Sequence, residues 1–246
     1  MPLPQMIAPT YDLTLPSDGR NIKFRPFLVK EEKILLMALE GNDEKEMINA
    51  IRQIISNCSV TPLDADSLPI FDLEYFFLKL RAKSVGEVVT IPYKCQNILT
   101  EDTENGPQSK QCGTIVPIDI HLDQVEVTKP DNHTNVIMLT DTIGVKMRYP
   151  RIELIKQMGT AKTNIESAIN LVAKCVESVF DADNVYDNST FKELIAFLES
   201  LTQPQFNKIQ EFFDTMPAVR HTITFQCPSC GYSDDIMLEG MESFFV

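Results

Sequence analysis

Cys227-Pro228-Ser229-Cys230-Gly231 is the stretch that decides how this chain folds. Two cysteines two residues apart, closed by a glycine, form a knuckle whose thiolates can face one ion. Glycine permits the positive φ that ends such a turn. A second pair, Cys95 and Cys112-Gly113, closes with the same Cys-Gly step but is split by the sixteen-residue insert 96–111. Zinc takes four thiolate or imidazole ligands at tetrahedral corners, and its structural sites have no open position. The two pairs therefore predict one structural zinc held by Cys95, Cys112, Cys227 and Cys230. Such a cross-link would bring the C-terminus back to the middle of the chain.

The flanks of both pairs read as strands. Glu87-Val-Val-Thr-Ile-Pro-Tyr93 precedes Cys95, and Thr114-Ile-Val-Pro-Ile-Asp-Ile120 follows Cys112. His221-Thr-Ile-Thr-Phe225 precedes Cys227, and Asp235-Ile-Met-Leu238 follows Cys230. Two hairpins carrying two cysteines each is a zinc-ribbon layout. The polar insert 96–111 reads as a loop projecting from the metal site, and its acids Glu101, Asp102 and Glu104 as solvated charges. The plainer alternative for Cys95 and Cys112 is a pair of ordinary thiols. His121, His133 and His221 read as sheet or surface residues, not ligands.

Composition narrows the function. With 35 acidic against 22 basic residues the net charge is −13, which a phosphate backbone repels, so nucleic acid is not expected as a general partner. The N-terminus lacks a basic region followed by an apolar run, so no secretory signal is expected. No apolar run approaches the roughly 18 residues that cross a membrane. Six cysteines without such a signal suggest a reducing compartment, where metal binding is the usual role for paired cysteines. Cys58 and Cys175 lie inside helical patterns and read as small core residues.

The rest of the chain alternates between two periods. Short strands are expected at 11–15 and 21–27, around the Asp18-Gly19 turn. A helix follows at 30–40, stopped by Gly41. Asp43-x-x-Glu46 reads as a capping box for the next helix, with its stripe Met47, Ile48, Ile51, Ile54 and Ile55. Asp72 is expected to open a third helix, with Leu73, Phe76, Phe77 and Leu80 on one face. Strands are expected at 88–93, 115–120, 124–128, 136–139 and 145–149. Thr163-x-x-Glu166 reads as a further capping box, leading a stripe of Ile165, Ala168, Ile169, Val172, Val176 and Val179. Thr190-x-x-Glu193 and Thr202-x-x-Gln205 open two more helices, the last ending near Asp214. The expectation is an α+β fold: two helical clusters joined through a central antiparallel β module with a four-cysteine zinc-ribbon-like site. Its segments are 1–85 (arm and first cluster), 86–149 (β module), 150–216 (second cluster) and 217–246 (C-terminal hairpin packing back on 86–149). The apolar tail Phe244-Phe245-Val246 either docks on its own domain or serves a partner.

Catalytic signatures are missing. The chain has no G-x-x-x-x-G-K-[ST], G-x-G-x-x-G, H-E-x-x-H or G-x-S-x-G. A zinc closed by four thiolates offers no position to a substrate. No enzyme activity is expected.

Several stretches together are similar to a known family. They are Arg25-Pro-Phe-Leu-Val-Lys-Glu-Glu-Lys-Ile-Leu-Leu36, Ala50-Ile-Arg-Gln-Ile-Ile-Ser-Asn-Cys58 and Leu68-Pro-Ile-Phe-Asp-Leu-Glu-Tyr-Phe-Phe-Leu-Lys-Leu-Arg-Ala-Lys-Ser84, then Phe225-Gln-Cys-Pro-Ser-Cys-Gly231 and Gly240-Met-Glu-Ser-Phe-Phe245. The chain resembles the baseplate hub and hub-assembly proteins of T4-type bacteriophages. The resemblance implies a non-enzymatic role in building the hub of a contractile tail, in the host cytoplasm during assembly or in the virion baseplate. It implies contact with other phage baseplate hub proteins, with the tape-measure protein as a further candidate. The competing reading is a zinc-ribbon adaptor in phage transcription, which would need basic or aromatic residues around the knuckles. Only Lys94 and Lys110 flank the first pair, while Asp234, Asp235, Glu239 and Glu242 follow the second.

Overall fold

A computed structural model describes residues 7–41, 43–103, 106–152, 154 and 164–244. The chain opens with an antiparallel hairpin, β1 (Tyr11–Thr14) and β2 (Asn21–Phe24). Helices α1 (Val29–Gly41), α2 (Glu44–Cys58) and α3 (Ile70–Ser84) follow. In α2 the expected stripe points inward, with Ile51, Ile54 and Ile55 essentially sealed. Each such side chain contributes roughly 1.5–3 kcal/mol on burial, more than any helix propensity, so packing fixes this helix. The expected Asp43 capping box is only half formed: the Asp43 carboxylate accepts from the Lys45 N–H, an Asx turn without a reciprocal arm from Glu46.

Helix α3 starts two residues earlier than Asp72 suggested, with Pro69 in the cap position and no side-chain cap. Asp72 has a different task. It is buried and accepts from both the backbone N–H and the hydroxyl of Ser17, tying the first hairpin to α3. A helix that is apolar nearly all round must be surrounded, and α3 is. Leu73, Phe76, Phe77 and Leu80 join the first core, with Phe24, Ile51, Ile54, Ile55 and Cys58. Leu78 and Ala82 point the other way, into a β core with Val89, Ile91, Ile120, Val219 and Phe244. Phe71 meets Tyr149 edge-to-face at 5.1 Å.

The β core is built from two hairpins. β3 (Val88–Lys94) pairs antiparallel with β6 (Ile115–His121). The segment between them is the first departure from expectation. It holds an antiparallel pair, β4 (Ile98–Thr103) with β5 (Gly106–Gln111), where a loop was expected. The insert is polar and lacks the apolar alternation that marks a half-buried strand, so its pairing, from Ile98↔Gln111 to Thr103↔Gly106, was not legible. After β7 (Glu126–Thr128) the next strands leave this module. β8 (Val136–Met138) and β9 (Gly144–Met147), read as the end of the 86–149 segment, pair with a different sheet.

That sheet runs β11-β10-β9-β8 and includes two strands not foreseen, β10 (Val176–Phe180) and β11 (Val185–Tyr186). The helix α4 (Asn164–Cys175) stops at Cys175, so Val176 and Val179 of the expected helical stripe are strand residues. Val176-Glu-Ser-Val-Phe180 has β-branched residues and can satisfy either period, and pairing with β9 decides it, with a bulge between Val176 and Ser178. The expected capping residue Thr163 lies outside the described residues. α5 (Phe191–Glu199) and α6 (Gln203–Thr215) both begin with complete capping boxes, Thr190/Glu193 and Thr202/Gln205. Val145, Met147, Val172, Cys175, Leu198, Ile209 and Phe212 close this second helical cluster's core.

The chain ends in β12 (Ala218–Gln226) and β13 (Ser233–Glu239), with β7 on the other side of β12. Gly240 N–H then donates to Val219 O, Met241 N–H to the Glu74 carboxylate, and Phe244 is fully buried against α3. The tail therefore docks on its own domain as far as Phe244. Phe245 and Val246 lie outside the described residues.

Candidate metal centre

The two knuckles have the same backbone. In each, the first cysteine's N–H donates to the carbonyl two residues past the second cysteine. Cys95 reaches Thr114 at 2.9 Å and Cys227 reaches Tyr232 at 2.8 Å. In each, the glycine N–H returns to the first cysteine's carbonyl: Gly113 to Cys95 at 3.1 Å and Gly231 to Cys227 at 2.9 Å. Both glycines have positive φ, 66° and 72°. The pair β4–β5 thus takes the place that Pro228-Ser229 holds in the second knuckle. Cys112 N–H donating to Asn97 O closes its base.

The hairpins bring all four cysteines together. Their sulfurs lie within 4.8 Å of one another. Cys95 and Cys230 are 3.8 Å apart, as are Cys112 and Cys227. A tetrahedron with zinc–sulfur bonds of about 2.3 Å has edges of about 3.8 Å. The donor set and its spacing fit a tetrathiolate site. Cys95 and Cys227 are buried, while Cys112 and Cys230 reach the surface.

A second layer holds the sulfurs, and sequence reasoning missed it. Asn97 Nδ2 points at Cys230 Sγ at 3.6 Å, and the Thr114 hydroxyl meets Cys112 Sγ at 3.3 Å. Below the site, Tyr93 and Phe225 meet edge-to-face at 4.8 Å. Each aromatic stands two residues before the first cysteine of its knuckle, and strand period 2 puts both on the cysteine's face. That shared offset was the available signal.

The thiols differ in acidity. Burial pushes the Cys95 thiol up to about 12. The Thr114 hydroxyl and N–H pull Cys112 down to about 6. Burial raises Cys227 too, but the N–H groups of Cys230 and Ser229 outweigh it and lower that thiol. Four thiolates this close repel one another, and a dication is the species that offsets that repulsion and deprotonates the set.

None of the three histidines joins the cluster. His121 and His221 lie on β6 and β12. His133 lies in an aromatic node, hydrogen-bonded at 3.0 Å to both Thr215 and the Tyr149 hydroxyl. Among the described residues, the four cysteines are the one group of candidate metal ligands.

Two knuckles bring four thiols together on a mixed α/β body with several antiparallel sheets. The chain belongs to the T4 bacteriophage base plate protein family, which matches residues 8–246. It is 24% identical, over 92% of its length and 93% of the relative's, to the baseplate hub assembly protein gp26 of Enterobacteria phage T4. No solved structure matches it.

Proposed function

We propose that the chain is a tail baseplate hub component or hub-assembly factor of a T4-like contractile-tailed phage, acting by protein–protein binding without chemistry of its own. The observation that carries this reading is the family match through residues 8–246, which takes in all three cores and both knuckles. In this reading Cys95, Cys112, Cys227 and Cys230 hold one structural zinc, which supplies a cross-link and the positive charge that keeps the thiolates together. The partners are other baseplate hub proteins of the same phage, with the tape-measure protein as a further candidate. The protein would act in the host cytoplasm during assembly and could remain at the baseplate.

The nucleic-acid adaptor is less well supported by the charge around the metal centre. Asp234, Asp235 and Glu239 lie on the exposed part of β13, and Arg220 is engaged with Glu239. A phosphate backbone meets repulsion there. Among the described residues no helix is long and apolar enough to cross a membrane.

The test is co-expression with the hub proteins of the same phage. The proposal expects a complex on affinity capture, and hub particles that fail to mature when this chain is withheld. Normal hubs assembled without it would overturn the reading. Mass spectrometry of finished particles beside infected-cell lysate then distinguishes a resident component from a departing factor.

A further inference from the structure

Helix α1 carries apolar residues on the side that the first core does not use. Ala38 and Glu31 face inward, with Ile34 and Leu35 packed against the core. Val29 is 80% exposed, Leu36 53% and Met37 61%. Lys33 and Glu40 share that outer face, since 29, 33, 36, 37 and 40 follow helical spacing. At the helix start the strip continues into a groove whose apolar lining is Phe27, Leu28, Val29 and Val85, with Lys30, Glu32 and Ser84 completing its walls. A helix apolar on both sides is normally covered on both sides.

The charge order along the face indicates what covers it. Lys33 lies one helical turn before the Leu36–Met37 pair and Glu40 about one turn after. The last turn of α1 has no basic residue, so Glu40 faces the negative end of the helix dipole uncompensated from within the helix. We propose that α1 is a homodimerisation face on which a second copy of this chain packs antiparallel, Leu36 against Met37 of its partner and Lys33 against Glu40 of its partner. A two-fold axis makes both ion pairs form together, and each copy's Lys33 supplies the cation that the other's last turn lacks. A parallel pair would set each charge beside its own counterpart. The helix is about 20 Å long at 1.5 Å per residue, shorter than a standard interface needs, so the dimer should be reversible and concentration-dependent.

Sedimentation velocity on the full chain, from about 1 to about 200 μM, reads this directly. The proposal expects a monomer–dimer equilibrium in that range. Leu36→Lys should leave only monomer. Lys33→Glu alone and Glu40→Lys alone should each raise Kd about fivefold or more, and the double variant K33E/E40K should return it to near the wild-type value. These side chains are exposed, and matching circular dichroism and melting temperatures establish that the variants fold. A wild-type chain that stays monomeric at the highest concentration overturns the proposal. So does a dimer indifferent to Leu36→Lys, or one in which the double charge reversal fails to restore what each single reversal loses.

Discussion

Cys95 and Cys230 stand 135 positions apart in the chain, and their sulfurs lie 3.8 Å from each other. That closure joins a knuckle from the middle of the chain to one near its end, with α4–α6 and the second sheet lying between them. A bond here constrains the two hairpins directly and the helical cores only through packing. Structural zinc contributes on the order of 10 kcal/mol in small peptide sites, and less dependence is expected where large cores exist. The purified chain should contain one zinc per molecule by elemental analysis, and Cys230→Ser should lose it. Hydrogen exchange in that variant should accelerate in β3, β6, β12 and β13 before it does in α4. Uniform acceleration throughout would mean that the chain unfolds as one unit.

How much of this was legible in advance differs by element. The isoleucine stripe of α2 and the two Thr capping boxes repeat local rules that no tertiary contact overrides, and they appear where the sequence places them. The cysteine pairs converge because each knuckle is a complete local motif. Strand partners were not legible: 136–139 and 145–149 look like a continuation of the β module, yet they pair with each other and, through β9, with β10, in a separate sheet. Alternation tells which face a strand buries, not which sheet it joins. Asp72 looked like a helix opener, and a buried bond to Ser17, 55 positions away, cannot be read from spacing.

Phe244 has no exposed surface and sits beside Leu78, Val219 and Leu238. Truncating a buried phenylalanine costs about 3–5 kcal/mol. Phe244→Ala should therefore lower the melting temperature by roughly 10 °C in a chain of this size. Deleting 243–246 should do at least as much and weaken metal retention with it. A deletion that leaves melting unchanged while abolishing capture of hub partners would return the tail to a partner-binding role.

His133 predicts a pH dependence. Thr215 gives its hydroxyl proton to Glu211 O, so its oxygen accepts from His133 Nδ1–H. Nε2 is then bare and accepts from the Tyr149 hydroxyl. Burial, with a contribution from Lys129, lowers the His133 pKa below its ordinary 6.5. The unfolded chain thus binds this proton first as pH falls. The stability held by neutral His133 is complete above about 6.5 and is lost as pH drops through the depressed folded value. Denaturant unfolding at pH 8, 7, 6 and 5 should show wild type losing its advantage over His133→Gln toward the acid end. A constant difference would show that this proton is not linked to folding.

The last prediction concerns a buried charge in the stretch that first pointed to the family. Glu31 has no exposed surface. Burial alone would push its carboxyl up, but the Arg25 guanidinium, the Leu28 N–H and Lys30 outweigh it and hold it below its ordinary range. Arg25 Nη2 meets Glu31 Oε1 at 3.0 Å and also donates to Asn57 O, while Nη1 donates to Pro26 O. One side chain thereby links the end of the first hairpin to α1 and to the last turn of α2. Arg25→Leu removes the main partner and leaves the buried carboxylate with only the Leu28 N–H and the Lys30 ammonium at 3.4 Å, which should cost up to about 3–5 kcal/mol. Glu31→Leu alone leaves a guanidinium that still has two carbonyls and some access to water, and should cost less. The double variant R25L/E31L removes both charges and should recover much of the loss, because a packed apolar pair needs no desolvation of ions. Equilibrium unfolding of the four proteins measures the cycle. If the double variant is as unstable as the sum of the two single ones, the pair is not coupled through Glu31, and Arg25 stabilises this corner through its carbonyl bonds alone.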